Sequence, residues 1–302
     1  MKPTLVDRPH CELCRSAQHK TLLRRPFTHP SIWPFLEEFY RGTLAAADFS
    51  GLDFEVAKCS DCGFIWQVHA PDERTMAAYY DAETLAEESL NKKRQADASL
   101  FARYARQVRA IAFLVPHRPS EVNVLDFGMG WGYWCRMAMA FGYNVTGFEV
   151  SPRRVEHART LGVRTVGSLD PLPSQTFDFI NSVQVFEHIL EPLGTLARLV
   201  ELLRPQGVIH IAVPDGAGIE RKLLSPAWRA TKDPLHPLEH VNCFTHATLL
   251  AMARSAGLEP EPEPILFSHR PALNLYLKDC LKYAWRHLRP ERGTTLYFTK
   301  PG

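Results

Sequence analysis

The stretch Val122-Asn-Val-Leu-Asp-Phe-Gly-Met-Gly-Trp-Gly132 decides the reading of this chain. A short apolar run, Val122 to Phe127, has the length and β-branched content of a buried strand. It runs into Gly128, Gly130 and Gly132, and an amphipathic segment, Tyr133 to Phe141, follows as a helix stopped by Gly142. Glycines at such a strand-to-helix turn let the main chain bend tightly and let a ligand touch it. The first amides of the helix are left free to bind that ligand. The next strand, Asn144 to Val150, carries Glu149 near its end, about 20 residues beyond the first glycine. From there a carboxylate reaches the two hydroxyls of a ribose. The third glycine comes one residue too early for the dinucleotide fingerprint, and Tyr133 stands in its place.

The same rhythm continues outward. Helix Pro152 to Leu161 ends at Gly162, and strands are expected over Val163 to Gly167 and Phe177 to Val183. Helix Pro192 to Leu203 then precedes strand Val208 to Val213. A helix over Ala247 to Ala256 and a last strand over Thr294 to Thr299 close the chain. Alternating strands and helices imply an α/β fold, a doubly wound, mostly parallel sheet with helices on both faces. Upstream, residues 72 to 115 contain no Gly or Pro and read as helical, with Pro116 and Pro119 marking a boundary. Arg103, Arg106 and Arg109 read there as a solvated helix face. Residues 1 to about 70 read as irregular.

Asp126-x-Gly128-x-Gly130-x-Gly132 resembles motif I of the class I S-adenosylmethionine-dependent methyltransferases. Phe177 to Ile189 and Val208 to Asp215 resemble their fourth and fifth strands. Gly293 to Lys300 resembles their closing antiparallel strand, so a seven-stranded Rossmann-like sheet is expected. The resemblance implies that Asp126 and the three glycines belong to the cofactor site. Gly128 and Gly130 would line the methionyl part, Glu149 would hold the ribose, and the Ser168-Leu169 turn would approach the adenine. Ser168 stands where an acidic or amide residue is common.

Cys11-Glu-Leu-Cys14 and Cys59-Ser-Asp-Cys62-Gly63 form two Cys-x-x-Cys pairs. The span between them exceeds the ~15–20 residues usual for such pairs, so an insertion must leave from between the knuckles. Four thiolates make a closed, structural zinc site with no open position for chemistry. Cys135, Cys243 and Cys280 read as small buried apolar residues, and His10, His19, His29 and His69 as surface residues. The expected organisation is a zinc-ribbon-like module over 1–71, a helical linker or cap over 72–118, and a methyltransferase core over 119–302. A four-cysteine module on such a core resembles the sugar C-methyltransferases and shorter relatives that lack their C-terminal domain.

Ligands of open α/β sheets sit beyond the carboxyl ends of the strands. Two segments should face that crevice: Glu187-His188, and the long loop from Asp215 to Thr245 with His236-Pro-Leu-Glu239-His240. The latter also fits the His-x-x-Glu-His protease signature, but Pro234 and Pro237 disrupt the helix that signature needs. In sugar C-methyltransferases a Glu-His pair in the equivalent loop serves in proton removal. Glu239-His240 resembles it, with Pro237 where that family has a tyrosine. His240, Glu239 and His188 are therefore the candidate catalytic residues.

With 45% hydrophobic and 23% charged residues the chain has ample material for a core, and a net charge of +2 offers no strong footprint for nucleic acid or membrane. Apolar runs are too short to span a bilayer and the N-terminus lacks a signal-peptide pattern, so a cytoplasmic protein is expected. The leading expectation is methylation of a small molecule, a saccharide or natural-product intermediate, at oxygen or carbon. A cofactor-binding partner or regulatory protein without transferase activity is the second reading, and a nucleic-acid methyltransferase the third.

Overall fold

The computed structural model describes residues 2–80, 83–264, 266 and 293–302; Cys280 lies outside them. In chain order the N-terminal part comprises β1 (Leu5–Asp7), β2 (His19–Pro26), α1 (Trp33–Phe39), β3 (Asp53–Cys59), β4 (Ile65–Gln67) and β5 (His69–Pro71). Three helices follow: α2 (Glu73–Tyr80), α3 (Glu83–Arg94) and α4 (Ala98–Leu114). The remainder is β6 (Asn123–Phe127), α5 (Tyr133–Ala140), β7 (Asn144–Phe148), α6 (Pro152–Thr160), β8 (Arg164–Val166), β9 (Phe177–Val183), α7 (Pro192–Leu202) and β10 (Leu203–Ala212). After these come α8 (Ile219–Leu223), β11 (Asn242–Cys243), α9 (His246–Ser255), β12 (Glu259–Glu261) and β13 (Thr295–Thr299).

The central sheet has seven strands in the order β12-β13-β10-β9-β6-β7-β8. β10, β9, β6, β7 and β8 pair in parallel, while β13 runs antiparallel between β10 and β12. The expected strands and helices are all present, with ends moved by one or two residues except for β10, which begins five residues early at Leu203 and pairs irregularly with β9 before Val208. β12 alone had no signal: Glu-Pro-Glu is no strand sequence, but an edge position tolerates the proline because its missing N–H faces away from the ladder. The strand order reverses between β6 and β9, so the crevice beyond their carboxyl ends is the natural ligand position.

The helical stretch after residue 72 is divided rather than continuous. Asp72 Oδ1 accepts the Thr75 N–H at 2.7 Å, opening α2. Asp97 caps α4 by accepting the Ser99 N–H at 3.0 Å. Short polar side chains of this kind compete with helix continuation and favour caps. Val108 and Ile111 of α4 are buried, whereas Arg103 and Arg106 are exposed, the latter paired with Glu263.

The N-terminal part is more regular than its prolines suggest. β2, β3 and β4 form an antiparallel sheet completed by β11, a two-residue strand from the far end of the chain. Trp66 and Phe64 pack toward the main core, alongside Leu125 and Phe186. On the opposite side Phe27, Leu36, Tyr40 and Phe54 share a core with Ile219, Trp228, Leu235 and Leu238. Residues 1–71 and the Asp215–Thr245 loop thus bury one another. Cys135 and Cys243 are buried, as expected, but the Cys135 thiol also donates to the Asp126 carboxyl.

Candidate functional site

The glycine turn follows β6. Gly128 and Met129 donate their N–H groups to Phe148 O, both at 2.9 Å, which folds the turn back over the end of β7. Gly128, Gly130 and Gly132 all have positive φ. A Cβ at Gly132 would lie 2.8 Å from Ala158 Cβ and 3.3 Å from its Cα, so glycine is required there for α5 to pack on α6. Gly132→Ala is expected to destabilise the protein by ~2–4 kcal/mol, combining left-handed strain with overpacking. Equilibrium urea denaturation would measure it. At Gly130, by contrast, a Cβ would meet nothing within 4 Å; the space beside that backbone is open.

Glu149 sits at the rim of this turn, 5% exposed. Its Oε2 accepts the Gly130 N–H, and its Oε1 accepts the Val150 and Ser151 N–H groups, each at 3.0 Å. A carboxylate has about four acceptor positions, so one remains for a ligand hydroxyl. Beside it Val150 is 66% exposed, a bare apolar side chain where a flat base could lie. Asp126 is placed beneath the turn rather than at its surface. It accepts from Asn181 Nδ2 at 2.7 Å and from the Cys135 thiol at 3.2 Å, and burial pushes its carboxyl up to about 6. Its place is thus under the glycine loop it braces. Ser168 is exposed and its hydroxyl donates to Asp170 Oδ2 at 3.0 Å, which brings an acid to the position the Ser168-Leu169 turn lacked. Leu169 is half-buried against the core. From above, α3 leans over the turn through Trp131 Nε1 donating to Ser89 Oγ at 3.1 Å and through the Arg153–Glu87 pair.

Two of the three catalytic candidates, His188 and His240, meet beside β9 together with Glu187, whereas the Glu239 carboxyl turns toward Tyr40. Glu187 and His188 lie in a short 3-10 turn just past that strand, and His240 faces them from the long loop. The rings of His188 and His240 are 4.9 Å apart, edge to face, and those of His236 and His240 are 4.1 Å apart. His240 Nδ1 lies 2.9 Å from Asp233 O. Burial holds these imidazoles neutral, bringing His188, which also faces His240, down to about 3, and His240, which also feels Lys232, down to about 4. The two carboxyls move the other way: burial raises Glu239, and takes Glu187 up to about 8. Glu239 Oε1 accepts a hydrogen bond from Tyr40 Oη at 3.0 Å. A tyrosine from just past the end of α1 therefore stands beside Glu239. Neither Tyr40 nor the burial of Glu187 had a sequence signal, because the contacts span distant parts of the chain.

A cavity of about 750 Å³ opens between α1, α3 and the long loop, within the range of small-molecule sites. Glu239 lies on its wall with Arg41, Lys92, Arg154, Arg229 and Lys232.

The two cysteine pairs converge as expected. Cys11 Sγ is 3.4 Å from Cys62 Sγ, Cys14 Sγ is 3.5 Å from Cys59 Sγ, and all four sulfurs lie within 4.8 Å. A tetrahedral zinc ion with ~2.3 Å bonds needs sulfurs ~3.8 Å apart. Each knuckle closes with a left-handed residue, Arg15 donating its N–H to Cys11 O and Gly63 donating its own to Cys59 O. Burial opposes ionisation of Cys59, yet hydrogen bonds from the Cys62 and Asp61 backbone amides bring its thiol down to about 7.

The sequence profile of a family described as a methyltransferase domain matches residues 94–263, more than half of the chain. The chain belongs to that family. The matched segment spans the glycine turn, Glu149 and the Glu187–His240 cluster. The chain is 30% identical over 189 residues to the malonyl-acyl-carrier-protein O-methyltransferase of Serratia marcescens, covering 57% of this chain and 71% of that protein. It is 26% identical over 164 residues to a ubiquinone biosynthesis O-methyltransferase of Xanthomonas axonopodis pv. citri, covering 47% of this chain and 65% of that one. In another curated relative the matched part spans 55% of the protein. Among solved structures, that of the 4+2 cyclase SpnF superposes with a TM-score of 0.50 at 17% identity, over 77% of this chain and 98% of that one. That likeness carries the class I methyltransferase fold of the domain. Among the described residues no helix is long and apolar enough to cross a membrane.

Proposed function

We propose that the chain transfers the methyl group of S-adenosylmethionine to a small acceptor, and that structural zinc holds its N-terminal sheet. The observation that carries the reading is Glu149, set at the rim of an open glycine turn with one acceptor position left and Val150 bare beside it. Gly128, Gly130 and Gly132 form the cradle, Glu149 takes a ribose hydroxyl, Val150 and Leu169 flank the base, and Asp126 braces the turn from below. When bound, the cofactor supplies an already activated electrophilic methyl on its sulfonium.

The protein's part is then chiefly alignment, which is worth ~7–11 kcal/mol, against ~3–5 kcal/mol for a general base. Glu239, raised by burial and steadied by Tyr40, receives the acceptor's proton. His188 and His240 present neutral rings that orient the acceptor. Glu38 and Glu88 also line the cavity and Glu88 pairs with Arg41 and Lys92, so it is Arg154, Arg229 and Lys232 that favour an acceptor with a carboxylate or phosphate beside the methylated oxygen or carbon, such as an acidic saccharide or natural-product intermediate. The two relatives, a malonyl-acyl-carrier-protein and a ubiquinone biosynthesis O-methyltransferase, support small or carrier-bound acceptors.

Glu239→Gln is expected to lower turnover by ~10²–10⁴-fold while leaving cofactor affinity intact. The test of the function itself is labelled S-adenosylmethionine with a panel of anionic acceptors on zinc-replete protein. Cofactor binding with no turnover on any acceptor would favour the second reading, a binding partner without transferase activity.

A further inference from the structure

Glu187, His188 and His240 bring one carboxylate oxygen and two ring nitrogens within 4.8 Å of one another. Glu187 is 1% exposed, and neither of its oxygens has a hydrogen-bond partner. The nearest base, His188 Nε2, lies 3.9 Å from Oε1, beyond hydrogen-bond reach. A carboxylate buried without partners is costly, so this one calls for an occupant. Both rings are held from behind by main-chain carbonyls. His240 Nδ1 faces Asp233 O at 2.9 Å, and His188 bonds the backbone of Glu239. Metal-bound histidines are fixed in this way: one nitrogen donates to a carbonyl, which leaves the other as an unprotonated lone pair. The rings stand edge to face, so they approach a shared point from different directions.

We propose that Glu187, His188 and His240 hold a divalent first-row transition-metal cation at the carboxyl end of β9, separate from the four-thiol cluster. Two imidazoles and a carboxylate suit zinc, iron(II), cobalt or manganese; magnesium and calcium prefer all-oxygen sites. Three protein ligands leave coordination positions open, as catalytic rather than structural sites do. This deepens the proposed function and rests on it for the use of the ion, though not for its binding. In that use an acceptor hydroxyl occupies an open position and loses its proton to Glu239. The freed oxygen pair forms the new bond to the methyl carbon as the carbon–sulfur bond breaks, and its electrons return to sulfur.

The test is calorimetric titration of the full chain with Zn²⁺ and, separately, Co²⁺, after the thiol cluster has been filled with zinc. Wild type is expected to take one further equivalent of either ion, and cobalt bound there should show visible bands without thiolate charge-transfer absorption. Glu187→Gln and His240→Asn should each weaken that equivalent by ~100-fold or more. Thermal melting and S-adenosylhomocysteine binding of each variant confirm that it is folded. The wild-type titration decides even if a variant fails to fold: no further equivalent overturns the proposal. So does a further equivalent undiminished in both variants, or a cobalt spectrum with thiolate absorption. S-adenosylhomocysteine binding without the second ion rejects the cation and keeps the function. A second ion in protein that ignores S-adenosylhomocysteine does the reverse.

Discussion

Cys59→Ser is expected to abolish zinc retention and to unfold the N-terminal sheet. Structural zinc contributes ~10–16 kcal/mol in small modules, as much as the whole net stability of ~5–15 kcal/mol of a typical domain. Serine keeps the size of the side chain but not the thiolate that a tetrahedral zinc site needs. The loss should not stop at the knuckles. Glu12, between Cys11 and Cys14, binds Arg8 Nε through Oε1 at 3.3 Å. The Arg8 guanidinium donates onward to Val241 O, Leu190 O and Asn242 Oδ1. Asn242 Nδ2 in turn donates to Phe186 O and Ile189 O, spanning both sides of Glu187-His188. The knuckle is therefore tied to both segments that carry His188 and His240. Limited proteolysis of Cys59→Ser should cut residues 1–71 and the Asp215–Thr245 loop together, with metal content falling in parallel. An unchanged melting temperature and digestion pattern would show that the thiols do not hold the sheet through a metal.

Glu149→Ala is expected to weaken S-adenosylhomocysteine binding by up to ~100-fold. A hydrogen bond to a charged group is worth ~1.5–3 kcal/mol, so losing the ribose contact costs up to about two powers of ten. The same substitution also strips the acceptor from the Gly130, Val150 and Ser151 amides, which loosens the turn itself. Isothermal titration calorimetry checks it. A dissociation constant equal to that of wild type would remove Glu149 from the ribose role.

The glycine turn and the place of Glu149 were readable because their signals are local. A strand, three glycines and a helix are contiguous, and Glu149 follows at the distance one strand-helix-strand unit imposes. The convergence of Cys11, Cys14, Cys59 and Cys62 was readable because two Cys-x-x-Cys pairs in one segment commonly fold around one point. What escaped reading is set by contacts between distant residues. β11 is two residues long and is a strand only because β4 lies beside it. β2 is rich in Arg and Lys and shows no clean alternation, so only its pairing with β3 reveals it. Tyr40 reaches Glu239 across most of the chain, and nothing near Tyr40 announces that partner. Glu187 could be placed in the crevice by its neighbour His188, but the burial that leaves both its oxygens bare depends on the whole packed core. Asp97 shows the opposite case: a local cap was present in the sequence, yet the absence of Gly and Pro concealed it.

The central claim is that the crevice beyond β6 and β7 takes an adenosyl sulfonium. Calorimetric titration of zinc-replete protein with S-adenosylhomocysteine, and separately with NAD, tests it most directly. The account predicts one equivalent of S-adenosylhomocysteine bound and no heat from NAD. Binding of NAD in its place, or of neither, would contradict it.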